Sequence, residues 1–127
     1  MVDSTKPTEK ITSFTQLVAW QKGHQLLLEI YRVTKIFPKE EVFVLVPQMR
    51  RCTLSITSNL AEGFSRSTLK DKNHFYMMAQ SSATELQNQL LASRDLGYIS
   101  NAEFQKLALQ TVEVRKLIHG LMRSLQR

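Results

Sequence analysis

The sequence predicts an all-α chain folded as four helices in one domain. Three observations carry that expectation. The chain has 127 residues, enough for one core and short for two. It holds only four Gly and three Pro, with 43% hydrophobic and 22% charged residues, a soluble globular composition with few helix breakers. Apolar residues recur at steps of three and four along most of its length, and no strand-like alternation competes.

The first twelve residues contain Pro7 and no periodicity and read as a mobile tail, leaving 13–127 for the helices. The first helix is expected over about 15–36, with Leu17, Trp20, His24, Leu27, Tyr31 and Thr34 inward and Val18, Leu28 and Ile30 beside them. Phe37-Pro38 closes it, because a residue before proline is pushed out of the α region.

The second helix is expected over about 47–64, starting at Pro47, whose fixed φ suits a first helical position. Its stripe is Met49, Cys52, Ile56, Asn59 and Gly63, and Asn59 reads as a side chain bonded to a neighbouring helix or fixing bundle register. Leu28, Leu54 and Leu60 widen the apolar faces and hint at a subunit interface, though a wider core stripe explains them as well.

The third helix, about 69–96, places Phe75, Ala79, Ser82, Leu86, Leu90 and Ser93 on one face and ends at Gly97, a residue suited to the left-handed region. The short step through Gly97-Tyr98 into Ile99 forces an antiparallel hairpin. The fourth helix, about 100–126, has the strongest stripe: Phe104, Leu107, Thr111, Val114, Ile118, Leu121 and Leu125. Ser100 and Glu103 have capping-box spacing at its start.

Several function classes are excluded or disfavoured. No apolar run approaches the ~20 residues of a membrane span, and the polar N-terminus with Asp3 and Glu9 lacks signal-peptide character, so the expected location is the cytoplasm. A single cysteine, Cys52, excludes an internal disulfide and a multi-cysteine zinc site. Four glycines at 23, 63, 97 and 120 are too dispersed for a phosphate-cradling loop. A dinuclear metal bundle needs paired Glu-x-x-His motifs, and the nearest match is the lone Asp71-x-x-His74. No catalytic residue, metal or cofactor is expected, and His24 reads as a core or interface residue.

Charge is the compositional oddity: 17 Lys plus Arg against 11 Asp plus Glu give +6. The candidate phosphate contacts are Arg50, Arg51, Arg66, Lys70, Lys72, Arg115, Lys116 and Arg123. Cations on rigid helices contact phosphate oxygens and release counterions, which gives affinity without sequence readout. The ordinary alternative is a solvated face. Arg50 and Arg51 are adjacent and point about 100° apart, so one of them is expected to pair with a carboxylate such as Glu62 or Glu85. Only Tyr76 and Tyr98 are candidate exposed rings, too few for a base-stacking platform.

The strings FTQLVAWQKGHQLLLEIYRVTKIFPKEE, QMRRCTLSITSNLAEGFSR and ATELQNQLLASRDLGYIS together resemble the small bundle proteins encoded in intervening sequences of bacterial large-subunit ribosomal RNA genes. The matches are Phe14, Leu17, Trp20, Phe37-Pro38, Gln48, Arg50-Arg51, Ser55-Ile56, the block Asn59-x-Ala61-Glu62-Gly63, Arg66, Glu85-Leu86 and Leu96-Gly97-Tyr98. Two stretches depart from the family pattern: Phe43-Val44-Leu45-Val46-Pro47, which lacks its glycine and cap, and Ser55-Ile56-Thr57.

The resemblance implies an up-down-up-down antiparallel four-helix bundle assembled as a homopentameric ring. It also implies kinship with the accessory variability determinant of diversity-generating retroelements, whose members bind nucleic acid and a reverse transcriptase. The function expected is a non-enzymatic oligomer that binds the backbone of RNA or DNA, as an accessory of a reverse transcriptase. The alternative is a structural adaptor acting through an apolar oligomer or partner surface.

Overall fold

The protein is described by a computed structural model over residues 10–126, so the expected tail over 1–12 lies outside the described residues as far as residue 9. Four helices, α1 (Val18–Thr34), α2 (Leu45–Ser65), α3 (Leu69–Asp95) and α4 (Asn101–Ser124), account for most of the described residues, with no strand among them. Each helix packs on the next and α4 returns beside α1. Gly23 sits under Ile56 and Thr57, Cys52 opposite Ser82, Gln80 opposite Arg115 and Lys106 opposite Glu29, so all four junctions are antiparallel. The four helices expected from periodicity, and the antiparallel bundle implied by the family resemblance, are the fold observed.

Leu26 and Ile30 from α1, Met49, Ile56 and Leu60 from α2, Leu86 and Leu90 from α3, and Leu107 and Ile118 from α4 are fully buried along the bundle axis. Each such side chain contributes roughly 1.5–3 kcal/mol by leaving water. Leu60 is thus core, the wider-stripe alternative, whereas Leu28 and Leu54 remain exposed.

The first helix starts later than expected. Ser13 and Gln16 form a capping box on a separate 3₁₀ turn (Phe14–Gln16), whose carboxamide Oε1 accepts from the Thr12 and Ser13 N–H groups. The chain then extends at Leu17 (ψ 126°) before α1 begins at Val18. Between the ends of the stripe this break rotates the buried face by about one residue, or 100°, onto Ala19, Gly23, Leu26, Ile30 and Val33, while Leu17 and Thr34 are buried as expected. Trp20, His24, Leu27 and Tyr31, expected inward, are half-buried flanks. Trp20 meets Phe14 edge-on at 5.4 Å and stacks on His24 at 4.8 Å, which places His24 in an aromatic cluster at the edge of the core.

Helix α2 begins at Leu45, two residues before Pro47. Proline is compatible there because first-turn N–H groups have no acceptor within the helix. Asn59 donates within its own helix, to Ser55 O and Oγ, rather than across the bundle. At the far end Gly63 lets α3 approach: a Cβ there would lie 2.7 Å from the Tyr76 ring. Lys72 caps the same end by donating to the Gly63 and Phe64 carbonyls.

Gly97 adopts φ +79°, as expected of it. The Gly97 N–H donates to Arg94 O and the Tyr98 N–H to Ser93 O, the paired bonds of a Schellman ending. At the start of α4, Ser100 Oγ accepts from the Glu103 N–H. The Glu103 carboxylate does not return to Ser100; it turns outward to Arg32 at 3.0 Å.

That bond belongs to an ionic seam between α1 and α4. Arg32 also pairs with Glu29 at 2.8 Å, Lys106 donates to Glu29, and Lys22 faces Glu113 at 3.6 Å. Hydrogen bonds from Arg32 and then Lys106 hold the Glu29 carboxyl at about 2, below its ordinary 4.5. A depressed carboxyl stabilises the fold above its ordinary value, and the stabilisation disappears as pH falls towards 2. Thermal melts from pH 5 to 2 should show this loss, and Glu29→Gln should flatten that part of the profile while costing about 1 kcal/mol at neutral pH, a figure reduced for solvent screening. Equal acid slopes in both proteins would show that the seam contributes nothing.

Candidate nucleic-acid interface

The topology sorts the eight candidate cations into two groups. The α2–α3 turn and the C-terminus of α4 share one end of the bundle, and there lie Arg66, Lys70, Lys72, Arg115, Lys116 and Arg123. Arg50 and Arg51, near the start of α2, lie towards the other end. When each helix is cut at its midpoint, the half with the α2–α3 turn carries seven Lys or Arg against three acidic residues, Glu62, Asp71 and Glu113, over residues 11–126. The opposite half carries seven against six. The cations divide evenly, and it is the scarcity of carboxylates that concentrates net positive charge at the α2–α3 end, a placement that residue counts over the whole chain cannot give.

Within that end the cations differ in freedom. Arg66 pairs with Glu62 at 2.8 Å and lies over the Phe75 ring, while Lys72 is the cap already described. Arg115 is half-buried and donates to Gln87 Oε1 at 3.2 Å; its Nε is buried without a partner among the described residues. Lys70, Lys116 and Arg123 are exposed and bond to no described side chain. Arg115, Lys116 and His119 also line a groove of about 330 Å³ with Gln80 of α3. Gln80 was not singled out from sequence, because only the α3–α4 packing brings it there. Its Nε2 donates to Arg115 O.

Of the adjacent pair, Arg50 is the one tied down, although by no carboxylate. Its Nε donates to Thr34 Oγ1 at 3.0 Å and its guanidinium lies over the Tyr31 ring at 4.6 Å. Arg51 is exposed and bonds to no described side chain. Neither expected ring serves as a free stacking surface. Tyr76 is buried beneath Gly63. Tyr98 is half-buried and donates to Glu41 at 2.7 Å, an interaction that, with lesser burial, pushes its hydroxyl up to about 12.

Apolar grooves mark two opposite faces. On the α1–α2 face a groove of about 620 Å³ has an apolar floor of Tyr31, Phe37, Val42, Val46, Pro47 and Leu54 with Thr34, Lys35, Arg50 and Arg51 on its rim, and beside it Phe43 is 91% exposed. On the α3–α4 face Leu90, Leu91, Phe104 and Ala108 line a smaller one of about 250 Å³, with Leu109 72% exposed nearby. Cys52 donates to Ser82 O at 2.9 Å and Glu85 Oε2 at 3.2 Å. Burial first, and then Glu85, push this thiol up to about 12, so it is not a thiolate at neutral pH. Among the described residues no three His, Cys, Asp or Glu side chains converge on a metal position, and no helix is long and apolar enough to cross a membrane.

Fold and surface thus define a four-helix bundle protein with a cationic end and two apolar grooves. The chain belongs to the 23S rRNA-intervening sequence protein family, whose model matches residues 15–120. Its structure is similar to the crystal structure of a protein of unknown function from the S23 ribosomal protein family of Bacteroides thetaiotaomicron. That similarity has a TM-score of 0.77 and 21% identity over 83% of this chain and 98% of the other, a likeness of fold. No curated protein matches the chain.

Proposed function

We propose that the protein is a non-enzymatic, cytoplasmic oligomer that binds the phosphate backbone of RNA or DNA through the cationic end, as an accessory of a retroelement reverse transcriptase. The observation that carries the binding is the segregation of charge, with seven basic against three acidic residues in one half of the bundle. The accessory role and the ring of five rest on the family resemblance.

The two apolar grooves support assembly. They lie on opposite faces, and a ring joins one face of a protomer to a different face of its neighbour. Five protomers of +6 carry +30 in total, and cationic ends gathered around one axis add their potentials. The same grooves, and Phe43 above all, favour a second reading in which the bundle is an adaptor working through its apolar surface and the charge serves solubility.

Sedimentation combined with titration of a labelled structured RNA at several salt concentrations tests the proposal. The expected result is an oligomer at micromolar protein, with log affinity falling linearly in log salt. A stable lone protomer overturns the ring. Absence of binding at low salt, or binding indifferent to salt, overturns the nucleic-acid reading and leaves the adaptor.

A further inference from the structure

A fourth groove, of about 340 Å³, runs between α2 and α3 and differs in character from the apolar pair. Gln48, Arg51, Cys52, Ser55, Ser82 and Glu85 line it, with no aliphatic or aromatic side chain among them. Its middle is already satisfied: Ser55 and Ser82 share a hydrogen bond of 2.8 Å, and the Cys52 thiol donates to Ser82 O and to one Glu85 oxygen. Its ends are not. The Arg51 guanidinium, the Gln48 amide and the second Glu85 oxygen bond to no described side chain. Arg51 and Glu85 line the same groove without forming an ion pair with each other.

We propose that this groove reads one unpaired guanine of the bound nucleic acid, with Glu85 accepting from its N1–H and N2–H groups and Arg51 donating to its O6 and N7. Hydrogen-bond inventory selects the base. Only guanine sets two N–H donors side by side on its pairing edge, matching a carboxylate that can only accept. Adenine presents the N1 lone pair there, uracil flanks its single N–H with carbonyl oxygens, and cytosine offers one amino group beside an acceptor. Only guanine also pairs two acceptors for a guanidinium fork. The neutral thiol of Cys52 steadies the carboxylate without cancelling its charge.

The proposal rests on the nucleic-acid reading, and its address is separate: the cationic end supplies affinity for any backbone, while the α2–α3 groove supplies discrimination. The probe is a set of labelled RNA hairpins identical except for one loop nucleotide, guanosine, adenosine, inosine or 7-deazaguanosine, at fixed salt. The guanosine loop should bind about tenfold tighter than the adenosine loop, with inosine, which lacks the N2 amino group, and 7-deazaguanosine, which lacks N7, in between.

Glu85→Gln should erase the preference while tightening binding of the adenosine loop, because a negative charge has been removed. A merely structural role for Glu85 would weaken all four loops alike. Arg51→Gln should lose the distinction between guanosine and 7-deazaguanosine. Equal affinity of the wild type for all four loops overturns the inference and leaves backbone binding standing. No binding of any hairpin overturns the nucleic-acid reading itself.

Discussion

Replacing Lys70, Lys116 and Arg123 together by Glu should reduce affinity for structured RNA by about a hundredfold or more at low salt and lower the salt slope by about three. These three are the cations of the crowded end that are exposed and make no bond to a described side chain, so their loss removes no internal contact. The substitutions take the net charge of the protomer from +6 to zero. Arg115 is left out because it also braces α3 through Gln87, and its replacement would mix binding with folding. The control is Lys39→Glu at the opposite end, an exposed residue that lines neither apolar groove. If placement matters, the control binds nearly as the wild type does; if net charge alone matters, each reversal costs the same. Filter binding or fluorescence anisotropy at 50–200 mM salt, the range over which such contacts are lost, reads both.

The second large effect concerns packing. Gly63→Ala should destabilise the protein by about 2 kcal/mol net, lowering the melting temperature by about 5–10 °C. A methyl group at Gly63 would stand 2.7 Å and 2.9 Å from two atoms of the Tyr76 ring and 3.1 Å from Phe75 Cβ. Tyr76 is only 2% exposed, so its ring has no solvent into which to swing. The helix-propensity gain of alanine, about 1 kcal/mol, offsets part of the clash. Gly120→Ala isolates that gain, because a Cβ there meets nothing within 4 Å, and it should raise stability by about 1 kcal/mol. Differential scanning calorimetry of the two variants decides the matter: shifts of the same sign would mean that the α2–α3 approach at Gly63 is not tight.

Much of this architecture was legible in the sequence wherever local chemistry has one solution. Gly97 had to end α3, because its left-handed conformation disfavours any other residue, and the stripe of α4 from Leu107 to Ile118 is buried as its spacing demanded. The phase of α1 was not legible. Its apolar residues are broad enough to satisfy two neighbouring stripes, and the extended break at Leu17 that chooses between them arises from the Ser13–Gln16 box, a three-dimensional arrangement. Pro47 was a misleading start signal, since any position of the first turn tolerates it.

The candidate interface divides in the same manner. The number of cations is a property of sequence, but their availability depends on partners distant along the chain. Thr34 and Tyr31 occupy Arg50, two backbone carbonyls occupy Lys72 and Glu62 occupies Arg66, whereas Lys70, Lys116 and Arg123 meet no comparable group. Gly63 and Lys72 show the cost of reading motifs singly, since each makes sense only once α3 lies against α2.

The four helices are not joined with equal means. The α1–α4 seam, which unites the first and last helices, is sealed on its outside by exchangeable charges, whereas α2 and α3 meet through a glycine notch, a buried tyrosine and a thiol. Electrolyte weakens only the former. Brine, or acid strong enough to protonate Glu29, therefore acts on the molecule as on a book held by its spine: the covers loosen first, and the central hairpin keeps its pages together.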